Sequence, residues 1–140
     1  MSQAMPPKPR PEITEDSRPY WDGLRQHRLL LQCCTDCGRL RHYPRPLCDA
    51  CHSFACDWVE ACGAAHVHSW TVAHHAFHPA FRNELPTVLV TADLAEGVRL
   101  LAPLQTEAPV TLQLGQRLQV GYWDVDPSLT VPVLRLDENG

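Results

Sequence analysis

Two short cysteine pairs constrain this chain more than anything else in it. Cys34-Thr35-Asp36-Cys37 and Cys48-Asp49-Ala50-Cys51 each separate two thiols by two residues, and ten residues lie between the pairs. A pair of this kind is a knuckle that sets two sulfurs on one side of a tetrahedral ion, about 2.3 Å from its centre. Gly38 permits the turn that follows the first pair. Gly38 to Leu47 is long enough for a short hairpin that returns the chain to the second pair. The spacing predicts one structural zinc per chain, held by Cys34, Cys37, Cys48 and Cys51. Four thiolates leave no coordination position for water or substrate, so catalysis by the metal is not expected. A thioredoxin-like redox pair would need a strand-to-helix context, and neither knuckle has one.

Three further cysteines sit outside this pattern. Cys33 adjoins a ligand, but its spacing to Cys37 is the less usual one for a knuckle. Cys56 and Cys62 read as small apolar core residues. Among eight histidines, His52 follows a ligand and His74, His75 and His78 cluster. No cysteine or carboxylate lies at a spacing that would complete a second metal site around them, so a strand-end or loop surface is expected there.

Thirteen prolines in 140 residues argue against a helical bundle. The apolar runs fall far short of the ~20 residues that a membrane helix needs. The opening MSQAMPPKPRPEI has no apolar stretch of the kind a secretory signal carries. Seven cysteines without such a signal point to a reducing, cytoplasmic setting. Charge is unevenly placed: residues 1–46 hold eight Lys/Arg against five Asp/Glu, and residues 47–140 hold four Arg against eleven Asp/Glu. An acidic larger half is a poor match for nucleic acid, whose binding draws on phosphate contacts.

The chain divides into three parts. Residues 1–28 form a proline-rich lead, expected to be mobile through about residue 16, and a short helix from about Pro19 to Arg28 behind Ser17 as N-cap. Tyr20, Trp21 and Leu24 fall on one side of that helix, either to pack on the neighbouring module or to meet a partner. Residues 29–62 form the metal module, too small to fold alone, so metal binding is expected to stabilise it directly. Residues 63–140 read as all-β, with runs at 66–73, 87–94, 98–102, 118–122 and 131–136. The clearest is 87–94, where Val88, Val90, Ala92 and Leu94 alternate with Thr87, Leu89, Thr91 and Asp93. Ala95-Glu96-Gly97 supplies a hairpin turn. Five short strands fit a small closed barrel of the OB type, with Pro79, Pro86, Pro103, Pro109, Pro127 and Pro132 between runs or at their ends.

In this order of elements the chain resembles a bacterial and archaeal family of acyl-CoA-associated proteins, in which a rubredoxin-like zinc ribbon precedes an OB-fold. The resemblance rests on residues 31–40 (LQCCTDCGRL), 43–51 (YPRPLCDAC), 69–72 (SWTV) and 96–100 (EGVRL), with Gly115 and Val120. Residues 20–24 (YWDGL) look like the family's leading helix. One departure is local: similar proteins usually have a glycine-rich turn before the first barrel strand, and here Gly63 stands alone.

The resemblance implies an accessory subunit rather than an enzyme in its own right. Similar proteins pair with thiolase-fold partners, among them acyltransferases, acetoacetyl-CoA thiolases and aldolases that shorten steroid side chains. The expected assembly is a hetero-oligomer in which the partner carries the catalytic residues. A steroid side-chain-CoA retro-aldolase is the first choice of partner, and an acyltransferase or thiolase the alternative. Tyr20, Trp21 and Leu24 are the candidate interface residues. Arg39, Arg41 and Arg45 are candidates for the phosphates of a CoA ester, or a solvated hairpin face. The rival class is a nucleic-acid-binding zinc-ribbon/OB module, with Trp70, Tyr122 and Trp123 as stacking candidates. The residues themselves offer no catalytic site: there is no G-x-S-x-G elbow, no G-x-G-x-x-G and no Walker loop, and Lys8 is the sole lysine.

Overall fold

The computed structural model describes residues 9–76, 78–106 and 110–137. Helix α1 (Arg18–Arg25) begins after Ser17, as expected, and stops three residues short of the predicted end. Ser17 does not cap it in the usual way. Its hydroxyl engages Thr14 instead, while its carbonyl accepts the first helical bond from the Trp21 N–H at 3.2 Å.

Two antiparallel sheets follow. The first contains β1 (Leu30–Cys34), β2 (Leu40–Arg41) and β3 (Cys56–Glu60), in the order β2-β1-β3. The second contains β4 (Ala64–Ala73), β5 (Thr87–Leu94), β6 (Arg99–Pro103), β7 (Arg117–Asp126) and β8 (Leu129–Leu136), in the order β6-β5-β4-β7-β8. A parallel bridge from Leu104 to Leu134 joins the two outer strands, and the Gln105 N–H donates to the Leu134 carbonyl at 2.7 Å. That contact closes the sheet into the small barrel that the five runs predicted. A bulge in β4 between Val67 and Ser69 bends the strand around it.

The alternation read at 87–94 holds. Val90, Ala92 and Leu94 are buried, facing Ala65 and Val67 across β4 and Leu100 and Ala102 across β6. Leu94 and Val98 close the β5–β6 hairpin around Gly97. The last two strands run longer than predicted and form one hairpin turning at Pro127-Ser128. Pro132 corrects the expectation for proline, since it lies inside β8 opposite Tyr122. At that position β8 pairs with β7, and its other edge meets β6 further on, at Leu134. Pro109 lies outside the described residues.

The apolar interior does not stop at the ribbon. One cluster runs from Tyr20, Trp21 and Leu24 on α1, through Leu29 and Leu31, to Leu118, Val120 and Leu134 of the barrel. Helix α1 packs against both β1 and β8 and so bridges the two sheets. The lead is not free along its whole length either. Arg10 pairs with Asp126 at 2.6 Å and donates to Ser128 at 2.9 Å, which ties it to the β7–β8 turn. Residues 1–8 of the lead lie outside the described residues.

The turn into the barrel is built on a single glycine. Gly63 has φ +89°, in the left-handed region, and its carbonyl accepts from the Val120 N–H at 2.9 Å. A Cβ there would stand 2.5 Å from Gln119 Nε2, the far end of a flexible side chain that can swing aside, so it is the backbone conformation that calls for glycine.

Candidate metal centre and flanking surfaces

Cys34 ends β1, and the chain turns back at once: the Gly38 N–H donates to the Cys34 carbonyl at 2.8 Å, with Gly38 at φ +79°. The second knuckle repeats this geometry, the His52 N–H reaching the Cys48 carbonyl at 2.9 Å. The Ser53 hydroxyl donates to the Asp36 carboxylate and ties one knuckle to the other.

These turns bring four sulfurs together. The ligand atoms of Cys34, Cys37, Cys48 and Cys51 all lie within 4.8 Å of one another, the only such group among the described residues. Cys34 and Cys51 are 3.5 Å apart, and Cys37 and Cys48 3.6 Å. Four sulfurs about 2.3 Å from a common centre would stand about 3.8 Å apart, so the donor set fits a tetrahedral zinc.

Local electrostatics favours thiolates at the two buried sulfurs. The backbone N–H of Cys51, then that of Ala50, holds the Cys48 thiol down to about 6. The backbone N–H of Cys37 lowers Cys34 in the same way. At Cys51 the Ser53 N–H also favours the thiolate, yet hydrogen bonding with Cys34 and burial outweigh it and push the thiol up to about 12.

The remaining sequence candidates fall differently. Cys33 stays outside the cluster, its sulfur 3.7 Å from the Gly38 carbonyl oxygen. Cys56 is half-buried and accepts from Gln32 Nε2 at 3.6 Å, and Cys62 is exposed, so neither is the core residue expected. Both lie on or just beyond β3, the edge strand of the first sheet. His74 and His75 are exposed after β4, and His78 accepts from the Ala80 N–H at the start of a 3₁₀ helix, Pro79–Glu84.

Tyr20, Trp21 and Leu24 require a correction. They are 2%, 8% and 0% exposed, packed inside the chain's own core, and present no face to a partner. Tyr20 meets Trp21 and Tyr43 edge-on at 5.0 and 5.4 Å, and the Trp21 indole donates to the Tyr43 hydroxyl at 3.0 Å. Burial holds the Tyr20 hydroxyl well above its usual range and the His42 imidazole down to about 4.

The three arginines separate as well. Arg41 is only 5% exposed, a structural residue rather than part of an open basic face. Its Nε donates to Gln32 Oε1 at 2.7 Å and its Nη2 to the Arg45 carbonyl at 3.1 Å. The pairing of Gln32 with Arg41 across β1 and β2 causes this, because it turns both side chains inward together. Arg39 pairs with Asp49 at 3.2 Å, and the Arg45 side chain is exposed. All three line a groove of about 920 Å³ that runs to the β5–β6 hairpin, where Arg99, Asp93 and Glu96 form the far wall.

The stacking candidates differ in exposure. Trp70 and Trp123 are partly exposed, and Tyr122 is covered by the stacked ring of His27 at 5.0 Å. Sequence reasoning missed three strongly exposed apolar side chains: Phe54 at 77%, Leu114 at 75% and Leu101 at 64%. Ser53 beside Phe54, Gln113 beside Leu114 and Arg99 two residues before Leu101 were the available signal. No helix among the described residues is long and apolar enough to cross a membrane.

The ChsH2 rubredoxin-like zinc ribbon domain matches residues 21–57, and the ChsH2 C-terminal OB-fold domain matches residues 58–122. A solved chain of the Ltp2-ChsH2(DUF35) aldolase is 42% identical, with a TM-score of 0.81 over 91% of this chain and 98% of that one. The chain belongs to the ChsH2 family.

Other ChsH2 relatives are longer. A probable enoyl-CoA hydratase alpha subunit of Thermomonospora curvata is 42% identical over 128 residues, 91% of this chain and 40% of that protein. The 3-oxo-4,17-pregnadiene-20-carboxyl-CoA hydratase alpha subunit of Mycobacterium tuberculosis is 34% identical over 115 residues, 82% of this chain and 36% of that protein. The chain thus spans well under half of either. A DUF35 protein of unknown function from Sulfolobus solfataricus, 17% identical with a TM-score of 0.61 over 88% of this chain and 86% of that one, shares the fold.

Proposed function

We propose that this chain is an accessory subunit that binds and stabilises a thiolase-fold enzyme acting on acyl-CoA substrates, with a steroid side-chain-CoA retro-aldolase as first choice. The observation that carries this reading is the 42% identity, over nearly the whole of both chains, to the ChsH2(DUF35) component of an aldolase. The closed four-thiol centre agrees with it, since four thiolate donors suit a structural zinc and leave no position for substrate. When bound, that zinc supplies folding energy to the ribbon rather than chemistry.

Within this reading, the phosphates of a CoA ester shared with the partner lie against Arg39 and Arg45 in the groove. Arg41 acts there as a positioning residue that holds the hairpin through Gln32.

The test is reconstitution. Retro-aldol cleavage of a steroid side-chain-CoA ester is measured for the thiolase-fold partner with and without an equimolar amount of this chain. The expected result is activity and solubility that depend on the chain. A partner that is soluble and fully active without it contradicts the proposal. Rescue of an acyltransferase or thiolase instead keeps the accessory role and changes the partner.

A further inference from the structure

Cys34 and Cys56 are direct neighbours across the first sheet. The Thr35 N–H donates to the Ala55 carbonyl, and the Ala61 N–H to the Leu29 carbonyl, which fixes the alternation along β1 and β3. Residues 29, 31, 33 and 35 then occupy hydrogen-bonded pairs, and residues 30, 32 and 34 occupy the open ones. Cys34 agrees with this, because its N–H turns the other way, to the Arg39 carbonyl at 2.9 Å. In an open antiparallel pair the Cα atoms stand about 4.5 Å apart and both side chains leave the same face. That spacing lies within the range a disulfide accepts, about 4.4 to 6.8 Å.

We infer that Cys56 is a redox site of this protein, a thiol outside the metal cluster placed to form a disulfide with the ligand Cys34 and so to release the metal. The inference rests on the zinc reading of the four-cysteine centre. Cys56 is half-buried, so a small oxidant reaches it, whereas Cys34 is buried. Its sulfur is also held in place. Gln32 Nε2 donates to it at 3.6 Å, and Gln32 is itself fixed by Arg41 Nε at 2.7 Å and the Arg45 N–H at 2.8 Å.

The other two free thiols are poorly placed. Cys33 alternates onto the opposite face of β1 from its neighbour Cys34. Cys62 lies six residues beyond Cys56, roughly 20 Å along an extended chain.

The chemistry balances with a peroxide as oxidant. The Cys56 sulfur attacks one peroxide oxygen, the O–O bond breaks, and water leaves a sulfenic acid. The Cys34 sulfur then attacks that sulfur. An S–S bond forms, the S–O bond breaks, and the departing hydroxide takes up a proton to leave as a second water. Two thiols lose two electrons in all, and the peroxide gains them. Three thiolates remain where a structural zinc needs four ligands, so the metal is released.

The experiment treats the full chain, its zinc content first measured by elemental analysis, with hydrogen peroxide. Zinc release is followed with a chromogenic chelator, and disulfides are mapped by mass spectrometry of unreduced peptides. The expected result is a Cys34–Cys56 cross-link that appears together with released zinc, both reversed by a thiol reductant and added zinc. Cys56→Ser should slow release about tenfold or more, with Cys62→Ser unchanged. A map dominated by Cys34–Cys51 or Cys37–Cys48, or equal release from Cys56→Ser, overturns the inference. A chain without zinc at the outset fails the metal reading instead, and the cross-link map alone then decides whether Cys34 and Cys56 pair.

Discussion

His27 Nε2 stands 2.9 Å from Asp124 Oδ1 and joins the loop after helix α1 to β7 of the barrel. The Thr130 hydroxyl donates to the same oxygen at 2.6 Å, and Arg10 anchors the lead on nearby Asp126. The lead, the loop after the helix and the barrel are thus pinned at one corner by two carboxylates.

That corner predicts a pH dependence. The Asp124 carboxyl is held below its ordinary value, first by the Thr130 hydroxyl and then by His27, and Asp126 is lowered chiefly by Arg10. A carboxyl depressed by folding stabilises the native state above its unfolded value, and that contribution disappears as pH falls through the folded value. Asp124→Asn should therefore lower the melting temperature at pH 7, with the difference from the parent chain closing under strongly acidic conditions. A difference of constant size across the titration would contradict the assignment.

The two knuckles differ at one equivalent position. Gly38 takes its left-handed turn without penalty, whereas His52 adopts φ +63° with a side chain in place. Relief of that strain should make His52→Gly more stable by about 1 kcal/mol, and Gly38→Ala less stable by about 1–2 kcal/mol. Thermal denaturation of the zinc-loaded protein reads both, and identical signs for the two variants would refute the comparison.

Helix α1 is a core element, and its substitution should act on folding. Tyr20→Ala and Trp21→Ala should each cost about 3–5 kcal/mol, the usual range for truncating a buried aromatic. Chemical denaturation measures this in the isolated chain. Variants that keep full stability yet lose the partner would return these residues to an interface.

The single glycine before the barrel is expected to be intolerant. Gly63→Ala should destabilise the chain by about 1–2 kcal/mol from its backbone conformation alone. The Gln119 side chain can swing away from an added Cβ, so Gln119→Ala in the Gly63→Ala background should restore little of the loss. Complete restoration would mean that the positive φ carries no cost.

Much of this architecture was legible because its signals are local. The knuckle spacing names four sulfurs that do converge, and alternation at 87–94 names the buried face of β5. What could not be read depends on pairing between distant segments. An arginine between two cysteine pairs reads as surface until β2 sets Arg41 beside Gln32 and both turn inward. The apolar side of α1 was evident, but whether it faced inward or outward depended on β8, more than a hundred residues away. Cys56 and Cys62 read as core by residue type, whereas they fall on or just beyond the edge strand of the first sheet, half-buried and exposed.

The most direct measurement is the mass of the complex. The zinc-loaded chain is mixed with the thiolase-fold partner at micromolar concentration, and the species are resolved by size-exclusion chromatography with light scattering. One stoichiometric hetero-oligomer is expected. Removing the zinc should dissolve this complex, since metal binding is expected to hold the ribbon folded. Two separate peaks at the masses of the free proteins, with zinc present, would contradict it.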